Sequence, residues 1–293
     1  MRRMPRSATT FAFLLLARLL MHPASAQASA WTLPRGPHLW VELYWQQYHT
    51  GRDFDQQGRR VGKVNDGRFR EFRNEIKLEL PSWDDRLNFL VSAPFDFARY
   101  EDRNVTLTNR GGEEATVGAK WRVTATDGPL ILALQPAVSF PLSGCDVSDQ
   151  PPLADCQADW EGRLVVGRPL RTDANGWVAG YVSGEVGYRA REKAPTDEIP
   201  FFVEGAWRIA SSPVWAKAFV DGVQSRAPRA GEQEEDYLKW TASVMLSRDP
   251  VSRGSKTLRR VGVWFLEAGV VTVVWGKNTG VSRVVFVKVA YQS

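Results

Sequence analysis

Alternation of polar and apolar residues is the feature that most constrains the fold of this chain. Between Glu113 and Val123, one set of alternate positions carries Glu, Thr, Gly, Lys and Arg, and the other set carries Ala, Val and Trp. Phe69 to Leu80 and Trp177 to Ala190 alternate in a similar way. A period of two places successive side chains on opposite faces of a strand. The pattern therefore predicts β-strands that separate two different environments.

About twelve such segments follow one another, and helical periodicity is hard to find. They lie at residues 38–49, 68–80, 86–100, 113–124, 130–142, 160–171, 177–190, 199–209, 214–225, 237–247, 260–275 and 280–291. Long polar connections such as 50–67 alternate with short turns such as 81–84, which is typical of a membrane barrel. Two connections depart from this rhythm, because 247–259 is long for a turn and 276–280 is short for an outer loop.

The segments together predict an all-β fold. Lipid offers no hydrogen-bond partners to the backbone, so a sheet crosses a membrane only when it is closed. We therefore expect a closed antiparallel transmembrane β-barrel of about twelve strands, formed by residues 27–293 as a single domain. The alternative is an exported soluble β-protein, whose sheet would have one face in water and would show the same alternation.

Aromatic residues at the segment ends favour lipid as the outer environment, because membrane barrels carry aromatic girdles at both interfaces. Five tryptophans adjoin short turns: Trp83, Trp121, Trp177, Trp207 and Trp215. The opposite segment ends carry Tyr48, Tyr100, Phe140, Trp160 and Tyr188. A soluble β-sandwich would more often hold its large aromatic residues at mid-strand, in the core.

The first 26 residues have the pattern of a secretory signal peptide. Arg2, Arg3 and Arg6 precede an apolar stretch at 11–21 that is too short to span a bilayer. Small residues then offer a cleavage site after residue 26, or after residue 28. This pattern predicts export.

Export changes how the charge and the cysteines are interpreted. Without the signal peptide the chain keeps 34 basic and 33 acidic residues, so its charge gives no reason to expect nucleic-acid binding. The three histidines all lie at or before His49, so the sequence predicts neither a metal site nor a cofactor. Cys145 and Cys156 flank a polar stretch and are predicted to form a disulfide in an oxidising compartment.

The polar face of the segments predicts the residues that line the barrel lumen. These candidates are Glu42, Glu71, Arg73, Glu75, Lys77, Glu114, Lys120, Arg122, Glu185, Arg189, Glu204 and Arg208. Their nearly balanced charges fit either a polar lumen that orients a solute or a salt-bridged plug that conducts nothing. An enzyme is not predicted: the best available base is His49, with Ser139 or Ser143 at a similar height, but an interfacial histidine with a solvated ring is the plainer explanation.

Two stretches carry a family resemblance. The segment from Glu113 to Val123 with the strand from Leu132 to Gly144, and the link Trp275-Gly276-Lys277-Asn278-Thr279-Gly280 into a closing strand, resemble bacterial outer-membrane barrels labelled as transporters of the meta-pathway of phenol degradation. The resemblance implies a porin-like barrel in the outer membrane of a Gram-negative bacterium, in contact with outer-membrane lipid and the outer-membrane assembly machinery. Its solutes would be small and often hydrophobic. The alternative is a non-conducting structural barrel that supports the envelope, surface polysaccharide or adhesion.

Overall fold

The computed structural model describes residues 39–83, 86–124, 130–143, 151, 153, 156–172, 178–192, 196–210, 212–226, 235–248 and 263–292. Its strands are β1 (Trp40–Thr50), β2 (Arg52–Phe54), β3 (Arg60–Gly62), β4 (Arg68–Pro81), β5 (Leu87–Glu101), β6 (Thr106–Gly112), β7 (Glu114–Arg122), β8 (Ile131–Pro141), β9 (Asp159–Thr172), β10 (Val178–Arg191), β11 (Glu198–Arg208), β12 (Val214–Ser225), β13 (Asp236–Arg248), β14 (Val263–Lys277), β15 (Thr279–Gly280) and β16 (Arg283–Gln292). One turn of 3-10 helix occupies Val64–Asp66. Among the described residues, no helix has the length and apolar character needed to cross a membrane.

The long strands form a closed antiparallel barrel. Each pairs with its neighbour in the chain, and β1 closes the ring by pairing with both β4 and β16. Strands β6 and β7 both pair with β5 and are separated by Glu113 alone, so they act as one interrupted strand. The barrel therefore has twelve strands, as the sequence predicts, and the two irregular final segments are present as β14 and β16. Closure leaves no sheet edge with unpaired backbone groups.

The barrel has two distinct ends. We call the end where β1 leads into β4 the long-loop end, and the end where β4 leads into β5 the short-turn end. At the long-loop end, β15, β2 and β3 form a small separate sheet in which Phe54 is buried. Gly58 has a φ of +75°, a left-handed conformation that favours glycine. The predicted signal peptide at 1–26 and Cys145 lie outside the described residues.

The outer wall is apolar and the inner wall is polar, the reverse of a soluble protein. In β4 the side chains of Phe72 and Ile76 are about half exposed on the outside, whereas Arg73 and Lys77 turn to the interior. This arrangement follows from the period of two, because a closed cylinder gives every strand one outward and one inward face.

Aromatic side chains lie on the outer wall near both ends. Exposed aromatic residues at the strand ends, all anticipated from the sequence, are Trp83, Trp121, Trp207, Phe140, Trp160 and Tyr188. The prediction was wrong for Trp215, which is buried inside the barrel and donates its indole N–H to the Ser247 hydroxyl at 3.0 Å. Tyr48 and Tyr100 also belong to inward faces, and Trp177 lies outside the described residues. Nearness to a strand end therefore does not decide which face an aromatic residue occupies. The face is decided by the alternation of side chains along the strand.

Candidate functional site: the barrel interior

The barrel encloses an elongated cavity of about 820 Å³. Trp40 and Gln292 line it near the short-turn end, and Tyr48 and Ser282 line it near the long-loop end. Most of the lining comes from β1, β4 and the strands from β10 onward. The cavity therefore extends along the barrel, and β5, β6, β8 and β9 contribute none of its lining residues.

Aromatic rings form one part of the cavity wall. The lining includes Tyr44, Tyr181, Phe202, Trp215, Phe219, Phe265 and Phe286. Phe202 and Phe219 pack with their ring centroids 5.4 Å apart, and Tyr44 packs on Phe286 at 5.5 Å. Such rings offer a solute apolar contact area at a small cost in side-chain entropy.

A continuous series of ion pairs forms another part of the wall. We call it the lysine–glutamate chain, and its members are Glu204, Lys217, Glu267, Lys288, Glu42 and Lys77. Lys217 lies 3.1 Å from both Glu204 and Glu267, and Glu267 lies 3.0 Å from Lys288. The Ser243 hydroxyl donates to Glu267 at 2.6 Å, and the Tyr181 hydroxyl donates to Glu204. These hydrogen bonds help to stabilise charges that are almost fully buried.

Two arginine-centred clusters lie on the inner wall at the edge of the cavity, and Arg73 and Glu185 of these clusters also line it. Arg73 forms two hydrogen bonds with Asp96, at 3.1 and 3.0 Å, and also contacts Glu113 and Glu71.

The second cluster joins β9, β10 and β11. Arg189 contacts Glu161 at 2.8 Å and Glu198 at 3.1 Å, and Arg163 contacts Glu161 and Glu185, the latter at 2.9 Å. Of these residues, only Glu185 lines the cavity.

Interior ion pairs among the described residues run along the wall. Lys288 and Glu42 lie on paired strands, β16 and β1, whereas Lys217 and Glu267 are separated by one strand, β13. Lys120 of β7 reaches Glu79 of β4 at 2.9 Å, again past one strand. None of these pairs joins strands on opposite sides of the barrel. The side chains of these ion pairs are therefore held against the wall and do not bridge the axis.

The predicted lumen residues are distributed over these features. Those that line the cavity are Glu42, Arg73, Glu75, Lys77, Lys120, Glu185, Glu204 and Arg208. Glu71 and Arg189 take part in the arginine-centred clusters. Arg122 is buried at 1% exposure and Glu114 is half-buried at the start of β7, and neither lines the cavity.

Several interior charges were missed by the sequence reasoning, among them Glu267, Lys288 and Lys217. Glu267 lies in β14, whose two faces are both largely apolar, so alternation did not assign it a side. The available signal was its isolation: a single carboxylate in the middle of an apolar strand needs a buried partner.

The residues considered for catalysis do not come together. His49 is exposed on the outer face of β1, whereas the Ser139 hydroxyl is hydrogen-bonded to that of Thr116 at 2.8 Å on the inner face. Ser143 donates to the carbonyl of Gly112 at 2.7 Å. The described residues contain no group of three His, Cys, Asp or Glu side chains arranged to hold a metal ion.

Solved structures share this architecture. An outer membrane channel from Pseudomonas putida F1 is 12% identical, with a TM-score of 0.64 over 93% of this chain and 100% of that chain. The β domain of the Bordetella autotransporter BrkA is 11% identical, with a TM-score of 0.44 over 87% of this chain and 98% of that chain. No family model and no curated protein matches the sequence. At such low identity the similarity to the Pseudomonas channel shows the fold, a closed antiparallel β-barrel.

Proposed function

We propose that this chain is an outer-membrane channel of a Gram-negative bacterium that passes small, partly apolar solutes, and that residues 1–26 direct its export. The observation that carries the proposal is the cavity of about 820 Å³, with aromatic rings on part of its wall and fixed charges on the rest. A solute with an apolar body and a polar group would find a partner for each.

The outer wall supports the membrane location. Its exposed apolar side chains, such as Ile76, Phe95 and Val285, are each at least half exposed. In water they would form an apolar surface far larger than soluble monomers tolerate. In lipid the same wall is favourable, and the interior keeps the charges away from hydrocarbon.

The ion pairs run along the barrel wall, which favours an open passage rather than a plugged lumen. Charged side chains that are tied to neighbouring strands do not have to separate when a solute moves along the axis. If the ion pairs bridged opposite walls, a passing solute would have to break them, at a cost of about 3–5 kcal/mol for each buried pair.

The test uses the purified mature chain in detergent, followed by planar-bilayer conductance and liposome swelling. We expect heat-modifiable gel migration and discrete conductance steps. The double variant Phe202→Ala/Phe219→Ala removes two rings from the cavity wall and should increase both conductance and swelling rate. Its matched control, Phe95→Ala/Phe97→Ala, removes two rings from the outer wall and should leave conductance unchanged. If the wild type and both variants show heat-modifiable migration but none of them conducts, the channel is refuted and the barrel is retained.

A second candidate is a non-conducting structural barrel that serves the envelope, surface polysaccharide or adhesion. The arginine-centred clusters favour it, because they place networks of ion pairs on the inner wall beside the cavity. A deletion strain with altered surface attachment but unchanged solute uptake would support this candidate and contradict the channel.

A further inference from the structure

A row of basic side chains crosses the outer wall close to the long-loop end. Arg99 of β5 is paired directly with Arg70 of β4, and Arg70 is paired with His49 of β1. His49 is paired in turn with Arg283 of β16. We call these four residues the basic row, and all four are exposed. Because neighbouring strands lie about 4.8 Å apart, the row extends about 14 Å around the barrel.

The next row toward the short-turn end is largely apolar. Phe97 pairs with Phe72, and Gln47 pairs with both Phe72 and Val285. Phe97, Phe72 and Val285 are all about half exposed on the outer wall. The basic row therefore lies at the boundary between the apolar wall and the long loops.

Few negative charges balance the row. Arg99 contacts Glu101 at 3.0 Å, and both side chains are exposed. Within the part of the chain that the structure describes, no carboxylate lies within 4.0 Å of Arg70 or Arg283. Like charges that face each other on adjacent strands destabilise a sheet. An anion bound between Arg70 and Arg99 would remove that repulsion.

The other side of the barrel differs at the same end. There the outward positions of β8, β9 and β10 carry Phe140, Trp160 and Tyr188, the aromatic residues typical of a membrane interface. The basic row thus replaces the aromatic girdle on one part of the circumference only, which indicates a local binding surface.

We propose that the basic row binds the phosphate groups of an anionic lipid headgroup, with the acyl chains of that lipid lying on Phe72, Phe97 and Val285. Guanidinium groups bind phosphate oxygens in a bidentate geometry. The apolar row directly beneath supplies contact for the chains, which a free phosphate would not use. This proposal rests on the membrane location proposed above and is independent of conduction.

The test is native mass spectrometry of the full mature chain in neutral detergent. The probes are bisphosphorylated lipid A and the same lipid after removal of its phosphates. We expect the wild type to retain the phosphorylated form at least 10-fold more tightly. The triple variant Arg70→Gln/Arg99→Gln/Arg283→Gln should bind the phosphorylated form about 100-fold more weakly, because each arginine near an anionic lipid surface contributes about a factor of five.

A matched control removes the same number of charges from the small sheet and a loop at the same end: Arg52→Gln/Arg60→Gln/Arg103→Gln. This control should bind as the wild type does. Equal binding of the two lipids, unchanged binding by the basic-row variant, or an equal loss in the control would each overturn the proposal. Heat-modifiable migration of every variant establishes that it is folded. A wild type that fails to insert into vesicles would refute the membrane location itself, whereas an inserted barrel without phosphate preference would refute only the lipid site.

Discussion

Lys217 is the residue through which the burial of the lysine–glutamate chain is best tested. Its side chain is 6% exposed and lies 3.1 Å from both Glu204 and Glu267. The substitution Lys217→Met leaves Glu204 with the Tyr181 hydroxyl as its remaining partner, and leaves Glu267 with Lys288 and Ser243. Removing one member of a buried ion pair costs about 3–5 kcal/mol, because the other charge stays buried and unneutralised.

A double-mutant cycle separates burial from simple loss of packing. Glu204→Gln keeps an oxygen for the Tyr181 hydroxyl and removes the negative charge. The double variant Lys217→Met/Glu204→Gln no longer contains an unbalanced carboxylate at this point. We therefore expect its free energy of unfolding to be about 2 kcal/mol higher than the value obtained by adding the effects of the two single substitutions.

The assay is urea unfolding of the chain in phospholipid vesicles, followed by tryptophan fluorescence and gel migration. Lys239→Met is the matched control, because Lys239 is 34% exposed and lies 3.9 Å from Asp221. A longer ion pair that is partly exposed contributes less than a short, fully buried one, so this variant should cost clearly less than Lys217→Met. If Lys217→Met lowers the free energy of unfolding no more than Lys239→Met does, or if the effects of the double-mutant cycle are additive, then the lysine–glutamate chain is hydrated. Either result would contradict its burial.

Three further outcomes follow from the loops. The Asp102 carboxylate accepts hydrogen bonds from two backbone N–H groups at 2.7 and 2.8 Å, which lower its pKa. Its stabilisation of the turn is therefore lost as the pH falls through that lowered pKa. Asp102→Ala should speed tryptic cleavage after Arg103 several-fold, whereas Asp102→Asn should not. Gly58→Ala should destabilise its turn by about 1–2 kcal/mol, measured as faster local hydrogen exchange, because its φ is positive. Non-reducing peptide mapping should recover Cys145 linked to Cys156, and separate peptides would contradict the predicted disulfide.

The sequence by itself determined the number of strands, their approximate limits and, in the strictly alternating strands, which side chains turn inward. Lys120 faces the interior and its neighbour Trp121 faces outward, as the alternation from Glu113 to Val123 predicts. This information is local, because a period of two needs only the chain's own neighbours to distinguish two faces. Where both faces of a strand are apolar, as around Glu267, the local signal fails.

Only the tertiary structure decided which side chains meet. His49 and Arg283 become direct neighbours through the closing pair of strands, although almost the whole chain separates them. The contacts of Lys217 with Glu204 and Glu267 likewise depend on the register of four strands, β11 to β14. Register and closure are set by the combined hydrogen bonding of all twelve strands, so no single segment encodes them. The enclosed cavity and the basic row are consequences of that closure.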